Sequence, residues 1–220
     1  MSLRTLFLCC LLWLAAAAAA ALPAAVQAEL DAAVRVHEAG DMVAARRAFE
    51  SLARREVAAA QYNLAVMHLR GELPRPDLAL AQALLTRAAS RGFVTAQLAL
   101  AQGLENGDLG ARQLALAHVW YERAAAAGSV EAQLAMGTAH YLGRGLPKDP
   151  ARAVHWFRQA AEGGDVGAMY LLASMFEQGD GVARDLRLAR YWYEQAARAG
   201  DAAAPGKVQE LDARLAAPPA

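Results

Sequence analysis

The chain has 220 residues, with 22 basic and 22 acidic side chains and a formal net charge of zero at pH 7. Because such a chain carries no basic field, we do not expect it to bind nucleic acid or an anionic lipid surface. Its length is typical of one domain or one continuous array.

The first 28 residues have the pattern of a secretory signal peptide. A positive residue, Arg4, precedes an apolar run from Leu6 to Ala21 that is too short for a spanning helix. The small residues of Val26-Gln27-Ala28 then predict cleavage after Ala28. We therefore expect residues 1–28 to be removed, and a periplasmic or secreted mature protein with no integral membrane segment.

Both cysteines, Cys9 and Cys10, lie inside the predicted signal peptide. The mature chain should therefore contain no disulfide. Phe7 and Leu8 stand where a lipoprotein would have a longer apolar stretch and a small residue before its cysteine, which argues against lipidation.

Residues 29–57 predict a short N-terminal helix pair, from about Leu30 to Ala39 and from about Asp41 to Arg55. The loop between these helices shrinks to Gly40-Asp41. The pair resembles a tetratricopeptide hairpin and is expected to cap the array that follows.

A repeat of 36 residues organises the chain from residue 58 to residue 201. It predicts four units, at residues 58–93, 94–129, 130–165 and 166–201. The markers that recur in one register are Ala60, Ala96, Ala132 and Ala168; Gly71, Gly107, Gly143 and Gly179; and Gly92, Gly128, Gly164 and Gly200.

Each unit is predicted to be a pair of helices, because its apolar residues recur at helical spacing. In the third unit the helices run from about Val130 to Leu142, before Gly143, and from about Asp149 to Glu162, before Gly163-Gly164. Glycine relieves the strain of left-handed backbone where a helix ends. Alanines at the helix contacts allow neighbouring helices to approach closely.

The start of the second helix in each unit has a recognisable cap. Asp149 fits an N-cap, with Pro150 at the first helical position, and Asp77 and Asp185 hold the same place in other units. Gln113 stands there in the second unit and is a poor cap. Residues 202–220 then predict a single C-terminal capping helix, from about Ala204 to Ala216, and a short tail.

The third and fourth units resemble the Sel1-like repeat. The residues that carry the resemblance are Ala132-Gln-Leu-Ala-Met-Gly137, Tyr141-Leu-Gly-Arg-Gly-Leu-Pro-Lys-Asp149, Trp156-Phe-Arg-Gln-Ala-Ala161, Gly179-Asp-Gly-Val-Ala-Arg-Asp185 and Tyr191-Trp-Tyr-Glu-Gln-Ala-Ala197. The resemblance implies an all-α fold, a right-handed α/α superhelix of tetratricopeptide-like helix pairs. It also implies a scaffold or adaptor. Some exported relatives are cysteine-rich and linked to peptidoglycan binding, but this chain lacks their cysteines.

The sequence contains no motif typical of an enzyme. No serine lies in a nucleophile motif, and no histidine or cysteine has metal-ligand spacing, so no catalytic residue, metal or cofactor is predicted. His68 and His140 take the place of Leu104 and Phe176 in the other units and are expected to pack in the core. His118 and His155 form no ladder across repeats.

In tetratricopeptide-like arrays the first helix of each pair lines the concave side, so equivalent positions form ladders along a groove. The four predicted ladders, numbered in this order, are Tyr62, Leu98, Leu134 and Tyr170; Val66, Gln102, Thr138 and Ser174; Leu69, Glu105, Tyr141 and Glu177; and Arg70, Asn106, Leu142 and Gln178. The first ladder is equally consistent with inter-repeat core. Glu105 and Glu177 are expected on a solvated or ligand-facing surface.

Tyrosine and leucine beside amides and acids suit an extended peptide or a helix. The sequence therefore predicts a non-enzymatic scaffold of the bacterial cell envelope, whose partner is another protein or peptide. The alternative is a protein that binds or modifies peptidoglycan or another cell-wall glycan.

Overall fold

The structure is a computed structural model that describes residues 22–216. Within this range the chain forms eleven α-helices and no strand. The helices are α1 (Ala24–Glu38), α2 (Met42–Arg54), α3 (Ala58–Leu69), α4 (Leu78–Ser90), α5 (Val94–Asn106), α6 (Leu114–Ala126), α7 (Val130–Leu142), α8 (Pro150–Glu162), α9 (Val166–Gln178), α10 (Leu186–Arg198) and α11 (Ala204–Ala216). The predicted all-α solenoid is confirmed.

Helix α1 begins earlier than the sequence pattern predicts. It starts at Ala24, directly after Pro23, rather than near Leu30. Ala24 to Ala28 contains three strong helix formers, and Gln27 donates a side-chain hydrogen bond to Asp31 at 2.7 Å. The predicted cleavage site therefore lies within α1, while residues 1–21 of the predicted signal peptide lie outside the described residues. Cleavage after Ala28 stays a prediction.

The helices of the third unit and the last helix have the predicted bounds, as α7, α8 and α11. The predicted caps are also confirmed. The carboxylates of Asp77 and Asp149 accept the backbone N–H groups of Leu80 and Arg152 at 2.9 and 3.0 Å. Asp185 caps α10 in the same way. In the described chain, Gln113 makes no side-chain hydrogen bond at the start of α6.

Helix packing follows the order of the chain. Each helix makes its main contacts with the helix before it and the helix after it. Alanines that are fully buried at these contacts let the helix axes approach closely. The core therefore runs along the array instead of surrounding one centre, as expected of a repeat protein.

A row of glutamines joins neighbouring repeats. Gln61, Gln97 and Gln133 are buried, and their side-chain amides donate to backbone carbonyls at the end of the preceding second helix. The acceptors are Ala53, Ala89 and Ala125, at 3.3, 3.0 and 3.1 Å. Each carbonyl also accepts a backbone N–H three residues on, so the glutamine is a second donor, and these bonds fix α3, α5 and α7 on the helix pair before them.

The turn after each second helix requires one residue with left-handed backbone. Glycine fills this position in the four repeats, with φ between 82° and 99° at Gly92, Gly128, Gly164 and Gly200. The N-terminal pair has Glu56 there instead, with φ of 66°. A side chain is disfavoured in that region, so Glu56 is a strained position.

Among residues 22–216, no helix combines the length and apolar character needed to cross a bilayer.

Candidate partner-binding groove

The sixteen residues of the four ladders lie on the first helices α3, α5, α7 and α9. All members of the first, second and third ladders are half-buried, and all members of the fourth ladder are exposed. Leu142 is the most open large apolar residue of the set, at 62% exposed. We call the surface formed by the four ladders the first-helix face.

The first ladder contributes to packing inside its own repeats. The ring of Tyr62 meets Phe93 edge-on at 5.7 Å between centroids, and Tyr170 meets Tyr193 at 4.9 Å. Leu98 and Leu134 pack against the core in the same manner. The two aromatic contacts lie within one repeat each, so both interpretations of this ladder stay predictions; its side chains are half-buried and expose the remainder of their surface on the first-helix face.

Successive hollows follow the first-helix face from its N-terminal end. A hollow of about 150 Å³ lies between α1 and α3, lined by His37, Tyr62, Val66 and Arg70. A second, more open hollow of about 880 Å³ is lined by Leu69, Gln102 and Asn106.

The third hollow, of about 250 Å³, lies at Glu105, Leu134 and Thr138. These hollows therefore bring together nine of the twelve ladder residues of the first three repeats, whereas Leu98, Tyr141 and Leu142 do not line them. The ladder residues of the fourth repeat, Tyr170, Ser174, Glu177 and Gln178, are not among the residues that line them.

Small residues explain why the larger hollows lie between the central repeats. At one position of the first helix the repeats carry Asn63, Ala99, Ala135 and Leu171 in turn, and four residues later they carry Met67, Gly103, Ala139 and Met175. Ala99 and Gly103 line the second hollow, and Ala135 and Ala139 line the third. The outer repeats fill the same space with larger side chains.

The loop that follows α5 leaves no space for a side chain at Gly103. A Cβ atom at Gly103 would lie 2.7 Å from the side chain of Leu109, which is buried against it. This Leu109 contact is a feature of the loop that replaces the usual glycine pattern in the second repeat.

Glu105 and Glu177 are less accessible than the sequence suggests. Their side chains are 18% and 11% exposed, which does not fit a fully solvated surface, but Glu105 lines the third hollow, so the ligand-facing alternative stays a prediction. The hydroxyl of Tyr121 donates to Glu105 at 2.7 Å, and that of Tyr193 donates to Glu177 at 3.1 Å. Each carboxylate also has a cationic partner, because a charge this far from water requires one.

The cations come from different elements. Arg144, in the loop after α7, approaches Glu105 to 3.3 Å. Arg214 and Lys207 of α11 approach Glu177 to 2.7 and 3.4 Å. Burial raises the pKa of Glu177, but the hydrogen bonds from Tyr193 and Arg214 and the charge of Lys207 outweigh it and bring the pKa below its ordinary value. Burial and the adjacent carboxylates raise the pKa values of Tyr121 and Tyr193 well above the ordinary range.

The histidines divide between core and groove. His68 and His140 are buried, which confirms the prediction of core packing, and His68 accepts a hydrogen bond at Nδ1 from the backbone N–H of Asp77 at 3.0 Å. His118 is buried too, at 6% exposed, but it lines the hollow beside Glu105. Sequence reasoning missed His118, Tyr121, Glu131 and Arg144 at this site.

A comparison with protein families matches the Sel1 repeat to residues 58–93, 94–129, 130–165 and 166–201. The chain belongs to the Sel1 repeat family. Sel1 repeat proteins are generally protein-interaction scaffolds, and this one has the helical solenoid that such scaffolds share. A search of curated proteins found no match.

Solved Sel1 repeat structures resemble the chain over most of its described length. A protective antigen of uropathogenic Escherichia coli with an SLR fold is 31% identical, with a TM-score of 0.70 over 77% of this chain and 36% of that one. A Sel1 repeat protein of Oxalobacter formigenes is 32% identical, with a TM-score of 0.70 over 76% of this chain and 49% of that one.

A Klebsiella pneumoniae Sel1 repeat protein is similar in fold, at 24% identity and a TM-score of 0.50 over 85% of this chain and 93% of that one. The present chain spans about a third and about a half of the length of the E. coli and Oxalobacter proteins.

Proposed function

We propose that this Sel1 repeat protein is an exported scaffold of the bacterial cell envelope that binds a polypeptide along its first-helix face. The observation that carries the proposal is the row of hollows between α1 and α7. Each hollow combines apolar walls with polar groups, which is the surface that an extended peptide or an amphipathic helix requires.

The composition of the face supports a peptide over a polyanion. Arg70 and Arg144 are its cations in the central region, and each lies beside an acid, Glu72 at 3.9 Å and Glu105 at 3.3 Å. Phosphate-rich ligands need cations that are free to pair with them. Half-buried tyrosine and leucine side chains, with amides such as Gln102 nearby, are typical of a peptide-binding surface.

Export rests on the N-terminal pattern. Arg4, the apolar run to Ala21 and the small residues before Glu29 are typical of a signal peptide, and both cysteines precede the predicted cleavage site. The envelope location in the proposal depends on that pattern.

Site-specific photo-crosslinking in living cells tests the binding face. A photoreactive amino acid replaces Leu142 or Asn106, which are exposed on the first-helix face, in the tagged, signal-bearing protein. Val119 and Tyr191 on the second helices, at 44% and 49% exposed, provide matched control positions. We expect one envelope polypeptide to be captured from the first two positions and not from the control positions, and mass spectrometry identifies it.

Capture from all four positions, or from the second helices alone, would show that the first-helix face is not the binding surface. Retention of the protein on insoluble peptidoglycan at high salt, with no polypeptide captured, would instead support the cell-wall alternative. Fractionation of the same cells reports whether the protein reaches the envelope.

A further inference from the structure

At each junction, where one first helix of the first-helix face is followed by the next or where α9 is followed by the capping helix α11, two positions recur with the 36-residue period. One belongs to the third ladder, and the other stands one position after the first ladder on the next first helix. The four pairs, from the N-terminus, are Leu69 with Ala99, Glu105 with Ala135, Tyr141 with Leu171, and Glu177 with Lys207. Two junctions are therefore apolar, and two contain a glutamate.

The last junction shows which cations pair with the glutamate. Lys207 of α11 lies 3.4 Å from the Oε2 atom of Glu177, which also accepts the hydroxyl of Tyr193 at 3.1 Å. Arg214 occupies the other oxygen at 2.7 Å. The chain's own C-terminal helix thus places an ammonium group in this junction, and the carboxylate is left only 11% exposed.

The second junction has the same glutamate and tyrosine but lacks the lysine. Glu105 accepts the hydroxyl of Tyr121 through Oε2, as Glu177 does with Tyr193, and Arg144 lies beside its Oε1. Ala135 stands where Lys207 stands in the last junction. In place of a lysine side chain there is a cavity of about 250 Å³, next to Glu105.

The lining of this cavity suits a cation. Glu131, whose carboxylate accepts a hydrogen bond from Gln102 at 2.5 Å, adds a second acidic group to that of Glu105, against the single charge of Arg144. His118 also lines it, and the Nδ1 atom of this buried ring has no hydrogen-bond partner among the described residues. This Nδ1 atom exposes almost no surface, so the two carboxylates, and not the imidazole, make the cavity suitable for a cation.

We propose that the cavity between Glu105 and Ala135 binds a lysine side chain of the polypeptide held on the first-helix face. The ammonium group takes the position at Glu105 that Lys207 takes at Glu177, with its alkyl chain against Leu134, Ala135 and Ala139. This pocket rests on the proposed scaffold function and adds a specificity determinant to it.

An internal substitution tests whether the cavity accepts the side chain. Ala135→Lys supplies the missing lysine from the chain itself, and Glu105→Gln removes its partner. In the wild-type background we expect Ala135→Lys to leave the melting temperature unchanged or raise it. In the Glu105→Gln background we expect Ala135→Lys to lower the melting temperature by about 2–4 °C relative to Glu105→Gln alone. Ala99→Lys is the matched control, because Leu69 occupies the glutamate position of its junction. An equal loss for Ala135→Lys with and without Glu105 overturns the proposal.

A peptide array tests recognition in trans. The probes are immobilised extended peptides that differ at one position, which carries lysine, arginine or uncharged norleucine. We expect the purified wild-type protein to bind its lysine peptides at least about tenfold more tightly than their norleucine counterparts. Ala135→Lys, which fills the cavity, should abolish that preference, while Val119→Lys, on the exposed side of the second helix α6, should retain it.

The peptide array tests the lysine pocket, and the crosslinking experiment tests the scaffold function, so their negative results can be told apart. Binding without a preference for lysine, or an array with no bound peptide, overturns the lysine pocket. If Leu142 still crosslinks to a polypeptide in cells, the scaffold function stands without the pocket. If crosslinking from Leu142 is lost as well, both proposals are wrong.

Discussion

Tyr193 on α10 donates a hydrogen bond to Glu177 on α9 at 3.1 Å, and the same pair recurs two repeats earlier as Tyr121 and Glu105 at 2.7 Å. The intervening repeat has Tyr141 and Phe157 at these positions, with ring centroids 6.4 Å apart. Polar and apolar contacts thus alternate along the array inside the helix pairs. The alternation explains how one repeat pattern produces junctions of different chemistry.

The hydrogen bond from Tyr193 should contribute measurably to stability. Tyr193→Phe removes one donor from a carboxylate that is mostly buried, so we expect the free energy of unfolding to fall by about 1–2 kcal/mol. Arg214 and Lys207 remain as partners, which limits the loss. Urea denaturation followed by circular dichroism measures it. Tyr191→Phe, on the exposed side of the same helix, should change the result little, and an equal loss in both variants would contradict the assignment.

Two buried histidines should make stability depend on pH. Burial lowers the pKa of His118 and of His140 below the ordinary 6.5, and the nearby charges of Arg144 and Arg152 lower them further. Well above pH 6.5 the rings are neutral in both states. As the pH falls below 6.5, the unfolded chain binds protons that the folded rings do not, so the stability of the fold decreases.

Thermal unfolding at pH 7.5 and at pH 5.5 checks this prediction. The substitutions His118→Val and His140→Phe introduce residues that other repeats carry at these positions, Val154 and Phe176. The double variant should lose less stability than the wild-type protein between these pH values. An unchanged difference would show that other groups, such as surface carboxylates, cause the dependence.

Gly137 should not tolerate a larger residue. A Cβ atom there would lie 2.5 Å from the ring of Phe157, which is fully buried, so the ring or α7 would have to shift. Gly137→Ala should therefore destabilise the protein by about 1–3 kcal/mol, despite the better helix propensity of alanine. Gly167→Ala in α9 is the matched control, because its Cβ would meet only an Asp165 oxygen at 3.4 Å. Calorimetry should show a lower melting temperature for the first variant alone.

Glu56 offers the opposite change, a substitution that stabilises. It holds the left-handed position that glycine fills in every repeat, so Glu56→Gly should raise the free energy of unfolding by about 0.5–1 kcal/mol. Loss of its exposed ion pair with Arg91 offsets little of this gain. Glu56→Ala loses the same ion pair but keeps a Cβ atom. If the alanine variant is as stable as the glycine variant, backbone strain at this residue is not the cause.

Local rules were enough to predict most of the fold. The bounds of α7 and the caps at Asp77, Asp149 and Asp185 depend on residues within a few positions, so the sequence pattern determines them. The pattern predicts the start of α1 too late, because the small residues that indicate a cleavage site, Val26 to Ala28, are also compatible with a helix.

The candidate site was only partly predictable. Ladder positions followed from the repeat, but the surroundings of Glu105 depend on Tyr121 from the second helix and Arg144 from the next loop. A single helix face does not reveal such contacts. One sequence feature could have indicated them: the spacing from glutamate to tyrosine is the same in the second and fourth repeats, while the equivalent position of the next helix is Ala135 after the second repeat and Lys207 after the fourth.

The main helix contacts join neighbours in the chain, from α1 with α2 through to α10 with α11. A protein of this kind has low contact order, so any helix pair can nucleate folding and the order then spreads in both directions. Under tension or in mild denaturant the terminal helix pairs would unfold first, and the loss of each pair would destabilise only the pair next to it. The cavity beside Glu105 lies between the second and third repeats, far from both ends, where such fraying arrives last.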